Sequence, residues 1–258
     1  MNHRQHITDI LNAYRKKSIV PDSNFSVACV IEDTNRNLYP GANIEFIDRT
    51  LGICAEGAAI CKMLAERGYQ VIQNIWLMGG DAQPAADMPE DMLFPCGICL
   101  QRLGELAAKD AKVKIISPID NHLTDFNLSD LLPHINKFTD YFDFKPYDLC
   151  GELDFNDIPS ALQMLKARSF IPDRKKNEAV ILQTQGNHFC YGVYFATCCY
   201  KADIPAINMA MYNYLLSDYA TEKISRVYYS AENSLLQIHP EFSKLLKDAV
   251  LTEIKIEN

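Results

Sequence analysis

Three cysteines in two short segments constrain the fold of this chain more than any other feature. Cys54 lies in Gly-Ile-Cys-Ala-Glu, and about forty residues later the segment Pro-Cys-Gly-Ile-Cys supplies Cys96 and Cys99. Each segment stands at the predicted start of a helix, where unpaired backbone N–H groups and the helix dipole stabilise thiolates. Cys96 and Cys99 are one helical turn apart and can face the same point. The sequence therefore predicts that two neighbouring helices bring three sulfur atoms together.

The donor set of this site favours zinc. Three thiolates leave one tetrahedral position for water, as in a catalytic zinc site, whereas a structural site closes with a fourth Cys or His. No histidine occurs between residues 7 and 121, so none is nearby in the sequence to close it. A single Cys-x-x-Cys is equally typical of a redox pair or of buried thiols, and the additional cysteine segment is what favours a metal.

Glu56 follows the first of these cysteines by two residues. From the first turn of a helix its carboxylate can approach water on the metal without replacing a ligand, and can act there as a general base. In isolation, a glutamate at this position would be a solvated first-turn residue favoured by the helix dipole. Together with the three cysteines, it is predicted to be catalytic.

The hydrophobic pattern of the first half alternates between helices and strands. Apolar residues recur every three or four positions in some segments, as in amphipathic helices, and form short runs bounded by turn residues in others, as in strands. The predicted helices are 7–17, 54–67 and 95–109. The predicted strands are 25–31, 38–44, 72–78 and 113–116, with the first two forming a β-hairpin. This order predicts a mixed sheet covered by helices.

The second half of the chain repeats this pattern weakly. An offset of 151 residues aligns Gly41 with Gly192 without a gap, and carries residues 74–76 onto residues 225–227. We interpret the correspondence as a decayed tandem duplication. The alternative is two unrelated halves that share generic α/β periodicity.

Composition narrows the class of protein. The 258 residues are 48% hydrophobic and 22% charged, as in an ordinary globular protein of one large or two modest domains. The net charge of -8 disfavours non-specific nucleic-acid binding, and we expect no nucleic-acid partner. There is no signal peptide and no apolar stretch long enough to span a membrane, so a cytoplasmic protein without a membrane partner is expected. Nine cysteines, an odd number, argue against a disulfide scaffold and fit a reducing compartment.

The motifs together resemble the zinc-dependent cytidine deaminase family, in the form whose zinc ligands are all cysteine. The segments that carry the resemblance are, in order, residues 21–27, 39–45, 52–60 and 95–101. The resemblance implies an α/β fold with two cytidine-deaminase-like domains, each a mixed five-stranded sheet sandwiched by helices (α-β-α). We expect a catalytic zinc-binding domain over residues 1–120, a linker over 121–157 and a degenerate non-catalytic domain over 158–258.

The resemblance also implies a reaction. Cys54, Cys96 and Cys99 would hold one Zn²⁺ per chain, and Glu56 would be the proton shuttle. The expected enzyme is a cytidine deaminase that hydrolyses cytidine and deoxycytidine to uridine and deoxyuridine plus ammonia, as a zinc-bound hydroxide attacks carbon 4 of the base. Its expected role is pyrimidine salvage.

By the same resemblance, four residues would bind the free pyrimidine nucleoside. Phe25 would pack against the pyrimidine, and the backbone N–H of Ala55 would hold the base carbonyl. Asn43 and Glu45, which are two residues apart and so on the same face of a strand, would hydrogen-bond the ribose 3'-hydroxyl. Without the surrounding motifs, Phe25 would be interpreted as core and the other two as exposed strand residues.

Two positions depart from the pattern of the all-cysteine family members. There an Arg commonly follows Cys-Ala-Glu and another follows the last Cys, whereas this chain has Gly57 and Leu100. A guanidinium near the metal would offset the net negative charge of three thiolates and one Zn²⁺. Its absence makes bound water less acidic unless another cation reaches the site. By nearness in sequence, the candidates are Arg49, Lys62 and Arg102.

The second copy lacks this chemistry. In the repeat register Pro205 replaces Cys54 and Ile207 replaces Glu56, so the same zinc site cannot form there. The second half resembles the non-catalytic domain of two-domain cytidine deaminases, in which two chains make a four-domain particle. A homodimer is therefore expected.

Three alternatives to a cytidine deaminase of free nucleosides stay open at this point. A polynucleotide deaminase would need a basic groove and stacking aromatic residues, which the acidic composition disfavours. A zinc-stabilised nucleoside-binding pseudoenzyme is motivated by Gly57 and Leu100, although such a protein would not need Glu56. A deaminase of a modified cytosine nucleoside is the third.

Overall fold

The computed structural model of the chain describes residues 2–81, 93–142, 149, 151–172, 177–231 and 236–256. The chain divides into two compact units, one of Met1–Lys62 with Val71–Lys137 and one of Met63–Gln70 with Phe138–Asn258. The predicted partition into 1–120, 121–157 and 158–258 stays a prediction, and residues 143–148 and 150 of the predicted linker lie outside the described part of the chain.

The first unit contains a five-stranded mixed sheet. Its helices are α1 (His3–Arg15), α2 (Ala55–Arg67), α3 (Gly97–Leu106) and α4 (Leu128–Leu131), with residues 63–67 at the end of α2 grouped with the second unit. Its strands are β1 (Phe25–Asp33), β2 (Leu38–Ala42), β3 (Ile72–Asp81), β4 (Ala107–Ile116) and β5 (Leu123–Asn127). The strand order is β2-β1-β3-β4-β5, with β3 and β4 parallel and the other neighbours antiparallel. In the described part of the chain, no helix is long and apolar enough to cross a membrane.

Helices cover both faces of this sheet. Ala28 and Val30 of β1 pack with Ile7 and Leu11 of α1 in one buried cluster. The side chain of Cys29 points to the opposite face, as alternation along a strand requires. There, burial and the negative charge of Glu56 on α2 raise the pKa of Cys29. The predicted α-β-α arrangement is confirmed for this unit.

The hairpin between β1 and β2 is organised by one buried carboxylate. Asp33 accepts hydrogen bonds from the backbone N–H groups of Asn35 (2.8 Å) and Asn37 (2.9 Å) and from the hydroxyl of Tyr39 (3.0 Å). Arg36, at the tip, has a φ of 66°, a left-handed conformation that is uncommon for residues other than glycine. The hairpin predicted from the polar residues 32–37 is confirmed.

Strand β2 passes directly over the first turns of α2, because Gly41 has no side chain. A Cβ at Gly41 would lie 2.3 Å from the backbone nitrogen of Ala59 and 2.5 Å from the backbone oxygen of Ala55. Neither backbone atom can move aside without displacing the start of α2. Gly41 therefore fixes the position of the helix that begins immediately after Cys54.

Gly41→Ala is expected to lower the free energy of unfolding by about 3 kcal/mol, the upper range for overpacking a core. Urea unfolding followed by circular dichroism measures the loss. The matched control is Gly97→Ala, since Gly97 is exposed and a Cβ there meets nothing within 4 Å. A Gly41→Ala variant as stable as the Gly97→Ala variant would contradict this account of the β2–α2 contact.

The predicted helix over 95–109 is too long at its C-terminal end. Helix α3 ends at Leu106, and strand β4 begins at Ala107, which pairs in parallel with Ile72 of β3. Strand β4 is correspondingly longer than the predicted strand 113–116, and β5 lies in a region for which no strand was predicted. Sheet pairing with β3 overrides the helical composition of residues 107–109.

The second unit contains a four-stranded mixed sheet. Its helices are α5 (Ile158–Arg168), α6 (Ala206–Leu215) and α7 (Pro240–Leu245), and its strands are β6 (Glu178–Thr184), β7 (Phe189–Val193), β8 (Ile224–Ala231) and β9 (Val250–Glu253). The order β7-β6-β8-β9 and the strand directions repeat those of the first four strands in the first sheet. The two-domain α/β class is confirmed, with one strand fewer than predicted among the described residues of this unit.

The predicted offset of 151 residues recurs in the strand register of both units. Cys29 pairs with Gly41 in one hairpin, and Val180 pairs with Gly192 in the other. Gly192 also lies against a helix, since a Cβ there would be 2.3 Å from the backbone oxygen of Ala206. The repeated register supports a duplication.

The predicted alignment of residues 74–76 with residues 225–227 is wrong by one residue. Asn74 pairs with Glu32, and the partner of Gln183, the counterpart of Glu32, is Arg226 rather than Ser225. Two differences combine to give this shift of one residue. Helix α6 has 10 residues against 13 in α2, and the connection after it, residues 216–223, is four residues longer than residues 68–71 of the first unit.

Candidate active site

The three predicted metal ligands converge at the beginnings of α2 and α3. Cys54 immediately precedes α2, Cys96 is the N-cap of α3, and Cys99 lies one turn into α3. Their sulfur atoms all lie within 4.8 Å of one another, and the Sγ atoms of Cys54 and Cys96 are 3.9 Å apart. Among the described residues, Cys54, Cys96 and Cys99 are the one cluster of His, Cys, Asp or Glu side chains close enough together to hold a metal ion.

This geometry fits zinc. Four ligands at about 2.3 Å in a tetrahedron place two sulfur atoms about 3.8 Å apart, close to the separation of the Cys54 and Cys96 sulfurs. Thiolates are soft ligands that select zinc over magnesium or calcium. Cys99 is buried, whereas Cys54 and Cys96 line a cavity, so a metal ion held by the three sulfurs would be accessible to water from that cavity.

The environment favours ionisation of one cysteine in particular. Hydrogen bonds from the thiols of Cys54 and Cys99 lower the pKa of Cys96, and the backbone N–H groups of Cys99 and Ile98 add to the effect. These N–H groups belong to the first turn of α3, where they have no acceptor within the helix. The start of α3 therefore stabilises negative charge on Cys96. The predicted stabilisation is not seen at the start of α2, where the hydrogen bond with Cys96 and burial raise the pKa of Cys54 to about 12.

Glu56 is buried beside these sulfurs. Its side chain is 5% exposed and lies in the first turn of α2. Burial raises the pKa of Glu56 to about 7, and the negative charge of Cys96 acts in the same direction, while the positive charge of Arg102 opposes the rise. A carboxyl group in this environment can both accept and donate a proton near neutral pH.

A cavity of about 650 Å³ opens over the site, within the usual range for small-molecule pockets. All the predicted site residues except the buried Cys99 line it: Phe25, Asn43, Glu45, Cys54, Ala55, Glu56 and Cys96. The further lining residues, which were not singled out from the sequence as nucleoside ligands, include Asp22, Ser23, Arg49 and Phe94. Asp22 and Ser23 lie within the 21–27 motif, which was the available signal for them.

Backbone pairing brings the segment of Asn43 and Glu45 to the zinc site. Ile44 exchanges two hydrogen bonds of 2.9 Å with Ile53, the residue before Cys54. Asn43 and Glu45 therefore flank the cysteine segment.

Both side chains already make hydrogen bonds within the protein, which the sequence did not predict. Asn43 donates to the backbone oxygen of Phe25 and accepts from the backbone N–H of Val27, both at 2.9 Å. Glu45 accepts from the backbone N–H groups of Asp22 and Ser23, each at 3.1 Å, and from the Ser23 hydroxyl.

These hydrogen bonds change the pKa of the Glu45 carboxylate, and they leave hydrogen-bonding positions on both side chains free for a ligand. Burial by itself raises the pKa of Glu45. The hydrogen bonds from Ser23 and Asp22 outweigh this effect and hold the pKa below its usual range, and the positive charge of Arg49 lowers it further. An amide and a carboxylate each offer more hydrogen-bonding positions than those used here. Both groups can therefore still bind a hydroxyl.

Comparison with known proteins places this site in a family. Residues 1–115 match the family model described as the cytidine and deoxycytidylate deaminase zinc-binding region. The cytidine deaminase of Mycoplasma genitalium is 30% identical over 117 residues, which are 45% of this chain and 82% of that protein. The chain belongs to the cytidine deaminase family.

Alignments with other similar proteins cover more of the chain. The cytidine deaminase of Aliivibrio fischeri is 27% identical over 209 residues, 75% of this chain and 61% of that protein. A crystal structure of cytidine deaminase from Burkholderia pseudomallei is 27% identical, with a TM-score of 0.43, and covers 53% of this chain and 100% of that one. The alignment with the A. fischeri cytidine deaminase is longer than the 115 residues of the family model, so this similarity includes part of the second half.

Proposed function

We propose that this chain hydrolyses free cytidine and deoxycytidine to uridine and deoxyuridine, with release of ammonia, using one Zn²⁺ per chain. The observation that carries the proposal is the convergence of three cysteine sulfurs within 4.8 Å of one another beside a buried Glu56, at a cavity of about 650 Å³, which is large enough for a nucleoside. The proposed role is pyrimidine salvage, in the cytoplasm.

Cys54, Cys96 and Cys99 would hold the metal. When bound, zinc makes a water molecule acidic enough to supply hydroxide near neutral pH. Glu56 would accept a proton from the attacking water on its carboxylate and deliver it to ring nitrogen 3 of cytosine, which makes carbon 4 more electrophilic. Once the water oxygen has added to carbon 4, the same carboxylate would take the remaining proton of that hydroxyl and pass it to the amino group. The C–N bond then breaks, ammonia leaves and the oxygen stays on carbon 4 as the carbonyl of uridine. Because Glu56 is 5% exposed, bulk water does not compete for these proton transfers.

The nucleoside would be held by the residues that surround the cavity. The ring of Phe25 offers an apolar surface for the base, and the Ala55 N–H, in the first turn of α2, lacks an acceptor within the helix. Asn43 and Glu45 would bind the ribose 3'-hydroxyl with their remaining acceptor and donor positions.

The charges lining the cavity favour an uncharged nucleoside. Asp22, Glu45 and Glu56 are acidic, and Arg49 is the basic residue among the described residues that line it. A phosphate group would be repelled by this acidic excess, which disfavours nucleotides and polynucleotides as substrates.

Glu45→Ala is expected to lower kcat/KM for cytidine by about 10- to 100-fold, since a charged hydrogen-bond partner of the ribose is lost. The value for 3'-deoxycytidine should hardly change, because that nucleoside lacks the hydroxyl in question. Ser23→Ala is the matched control: it removes a hydrogen bond to Glu45 but keeps the carboxylate, and should preserve the preference for cytidine over 3'-deoxycytidine. Equal losses for both nucleosides in Glu45→Ala would refute the sugar-binding role.

The test of the proposed function combines zinc analysis with ammonia release from cytidine. About one zinc per chain together with conversion of cytidine to uridine is the expected result. Freshly purified protein without zinc would refute the mechanism. Zinc without turnover of any cytosine nucleoside would instead support a nucleoside-binding pseudoenzyme, and turnover only of modified nucleosides or of oligonucleotides would support the corresponding deaminase.

We also propose that the second unit is non-catalytic. Pro205 is the N-cap of α6 where Cys54 precedes α2, and the buried Ile207 stands at the position of Glu56. Neither side chain can bind zinc or transfer a proton. A homodimer in which each chain contributes two domains remains a prediction from the family resemblance. The same holds for the division of the chain into a domain over 1–120, a linker over 121–157 and a domain over 158–258.

A further inference from the structure

The proposed metal site carries excess negative charge in a poorly hydrated place. Three thiolates around one Zn²⁺ leave one net negative charge, and Glu56 adds a second whenever its carboxyl group is ionised. Cys99 is 0% exposed and Glu56 is 5% exposed, so water cannot fully compensate these charges. Buried charge without a partner is strongly unfavourable. Cys54 and Cys96 line the cavity and can be hydrated, so a nearby cation is most stabilising on the buried side of the site, at Cys99 and Glu56.

Of the three cations near the site in sequence, Arg49 acts on a different part of the cavity. Its side chain is exposed at the cavity lining, and its charge lowers the pKa of Glu45. Lys62 follows Cys61 on α2, and one residue along a helix is a rotation of about 100° away from the face that Gly57 and Cys61 share.

Arg102 reaches the face of α2 that adjoins the site. A Cβ at Gly57 would lie 2.9 Å from Nη1 of Arg102 and 2.8 Å from Cγ1 of Ile53. The guanidinium thus occupies the space that a side chain at position 57 would need. The positive charge of Arg102 also acts on Cys61, one turn further along α2, where it opposes the rise in pKa that burial causes.

The position of Arg102 on α3 connects it to the other half of the site. It lies three residues after Cys99, which is one helical turn and the same face of α3. The side chain therefore extends from the helix that supplies Cys96 and Cys99 to the first turns of the helix that follows Cys54. Leu100, buried on α3, offers no charge.

We propose that Arg102 is the positioning residue that supplies the positive charge of the three-thiolate centre, and that Gly57 is the position that leaves room for it. The inference rests on the proposed function in one respect, since zinc is the ligand whose binding Arg102 supports. The guanidinium offsets the thiolate charge from α3, in place of a cation from the residue after Glu56. Gly57 and Arg102 then form a coupled pair in which a change at one position alters the effect of the other.

The first test measures zinc affinity by competition with a chromophoric chelator, for the full chain and without any activity measurement. Arg102→Gln is expected to weaken zinc binding by about 10- to 100-fold, as for other groups that support metal ligands. Arg102→Lys should recover part of the loss because it keeps the charge. Lys62→Gln removes the same charge from the same region and is expected to bind zinc within twofold of the wild type. Circular dichroism of the zinc-free proteins checks that all variants fold.

The second test exploits the contact between the two positions. Gly57→Arg alone should weaken zinc binding, because the new side chain collides with Arg102 and Ile53. In the Arg102→Ala background, the same Gly57→Arg change should strengthen zinc binding by bringing a guanidinium back through the vacated space. This reversal of sign separates the charge proposal from simple damage to packing.

The outcomes distinguish this inference from the proposed function. A zinc-loaded wild type with an equally tight Arg102→Gln variant would overturn the inference and leave the proposed function intact. Independent, additive effects of the Gly57 and Arg102 changes would also overturn it. Wild-type protein that binds no zinc would overturn the proposed function and this inference together.

Discussion

Glu56→Gln is expected to lower kcat/KM for cytidine by about 100- to 10,000-fold, the range for loss of a general acid–base. Glutamine has almost the same size and can keep the packing of a side chain that is only 5% exposed. It cannot take a proton from water or deliver one to ring nitrogen 3. Zinc content should stay at the wild-type level, because none of the three cysteines changes. Ammonia release and elemental analysis on the same preparation measure both quantities.

The control for this variant is another buried carboxylate of the same unit. Glu32 is 3% exposed and accepts hydrogen bonds of 3.1 Å from Asn74 and Trp76. Glu32→Gln keeps an amide oxygen for these bonds and lies outside the cavity, so activity should remain within a few-fold of the wild type. If the Glu56 and Glu32 variants were equally active, Glu56 could not be the proton shuttle.

The parts of the fold that were predictable have local causes. The β1–β2 hairpin follows from apolar runs around the polar residues 32–37, and α2 follows from its apolar pattern and the stop at Gly68, whose φ of 76° suits glycine. The convergence of the cysteines was predictable for the same reason. Helix geometry alone places Cys96 and Cys99 on one face of α3. Once the start of α2 packs against the start of α3, Cys54 lies beside them.

The errors arose where distant parts of the chain decide the structure. Residues 107–109 have a helical composition but form the start of β4, because Ala107 pairs with Ile72. Strand β5 exists through its pairing with β4, for example between Val113 and Phe126. These strand pairings join residues that are far apart in the sequence, so no local sequence pattern predicts them.

The charge balance of the site is a second feature that sequence could not decide. Arg49, Lys62 and Arg102 were equivalent by nearness in sequence. Only the approach of α3 to α2 places the Arg102 guanidinium 2.9 Å from the Cβ position of Gly57. The hydrogen bonds of Asn43 and Glu45 also could not be predicted from sequence, since they depend on how the 21–27 segment folds against residues 43–45, which follow β2.

Comparison of the two units shows which residues the fold requires and which only the proposed chemistry requires. Gly41 and Gly192 both let a strand cross the start of a helix at van der Waals limits, so this contact is kept in both copies. The residues proposed to carry the chemistry differ at the two helix starts, with Cys54 and Glu56 in one unit and Pro205 and Ile207 in the other, although the first helical residue is alanine in both. Proline suits the start of a helix, where no N–H is needed, so losing the metal ligand need not cost the fold.

Cys99→Ser is expected to reduce bound zinc to below about a tenth of an equivalent after dialysis against a chelator, because each thiolate contributes a large share of the binding free energy of such sites. Cys99 is the buried ligand, at 0% exposed, and the serine hydroxyl that replaces it is a poor zinc ligand. Deamination of cytidine should fall to background. In protein substituted with Co²⁺, the sulfur-to-metal charge-transfer absorption, which grows with the number of thiolate ligands, should decrease or disappear. Cys199→Ser, an exposed cysteine of the second unit, is the matched control and should keep zinc, absorption and activity. Full zinc occupancy and an unchanged Co²⁺ spectrum in Cys99→Ser would mean that the metal is held elsewhere, and the three-cysteine site would have to be abandoned.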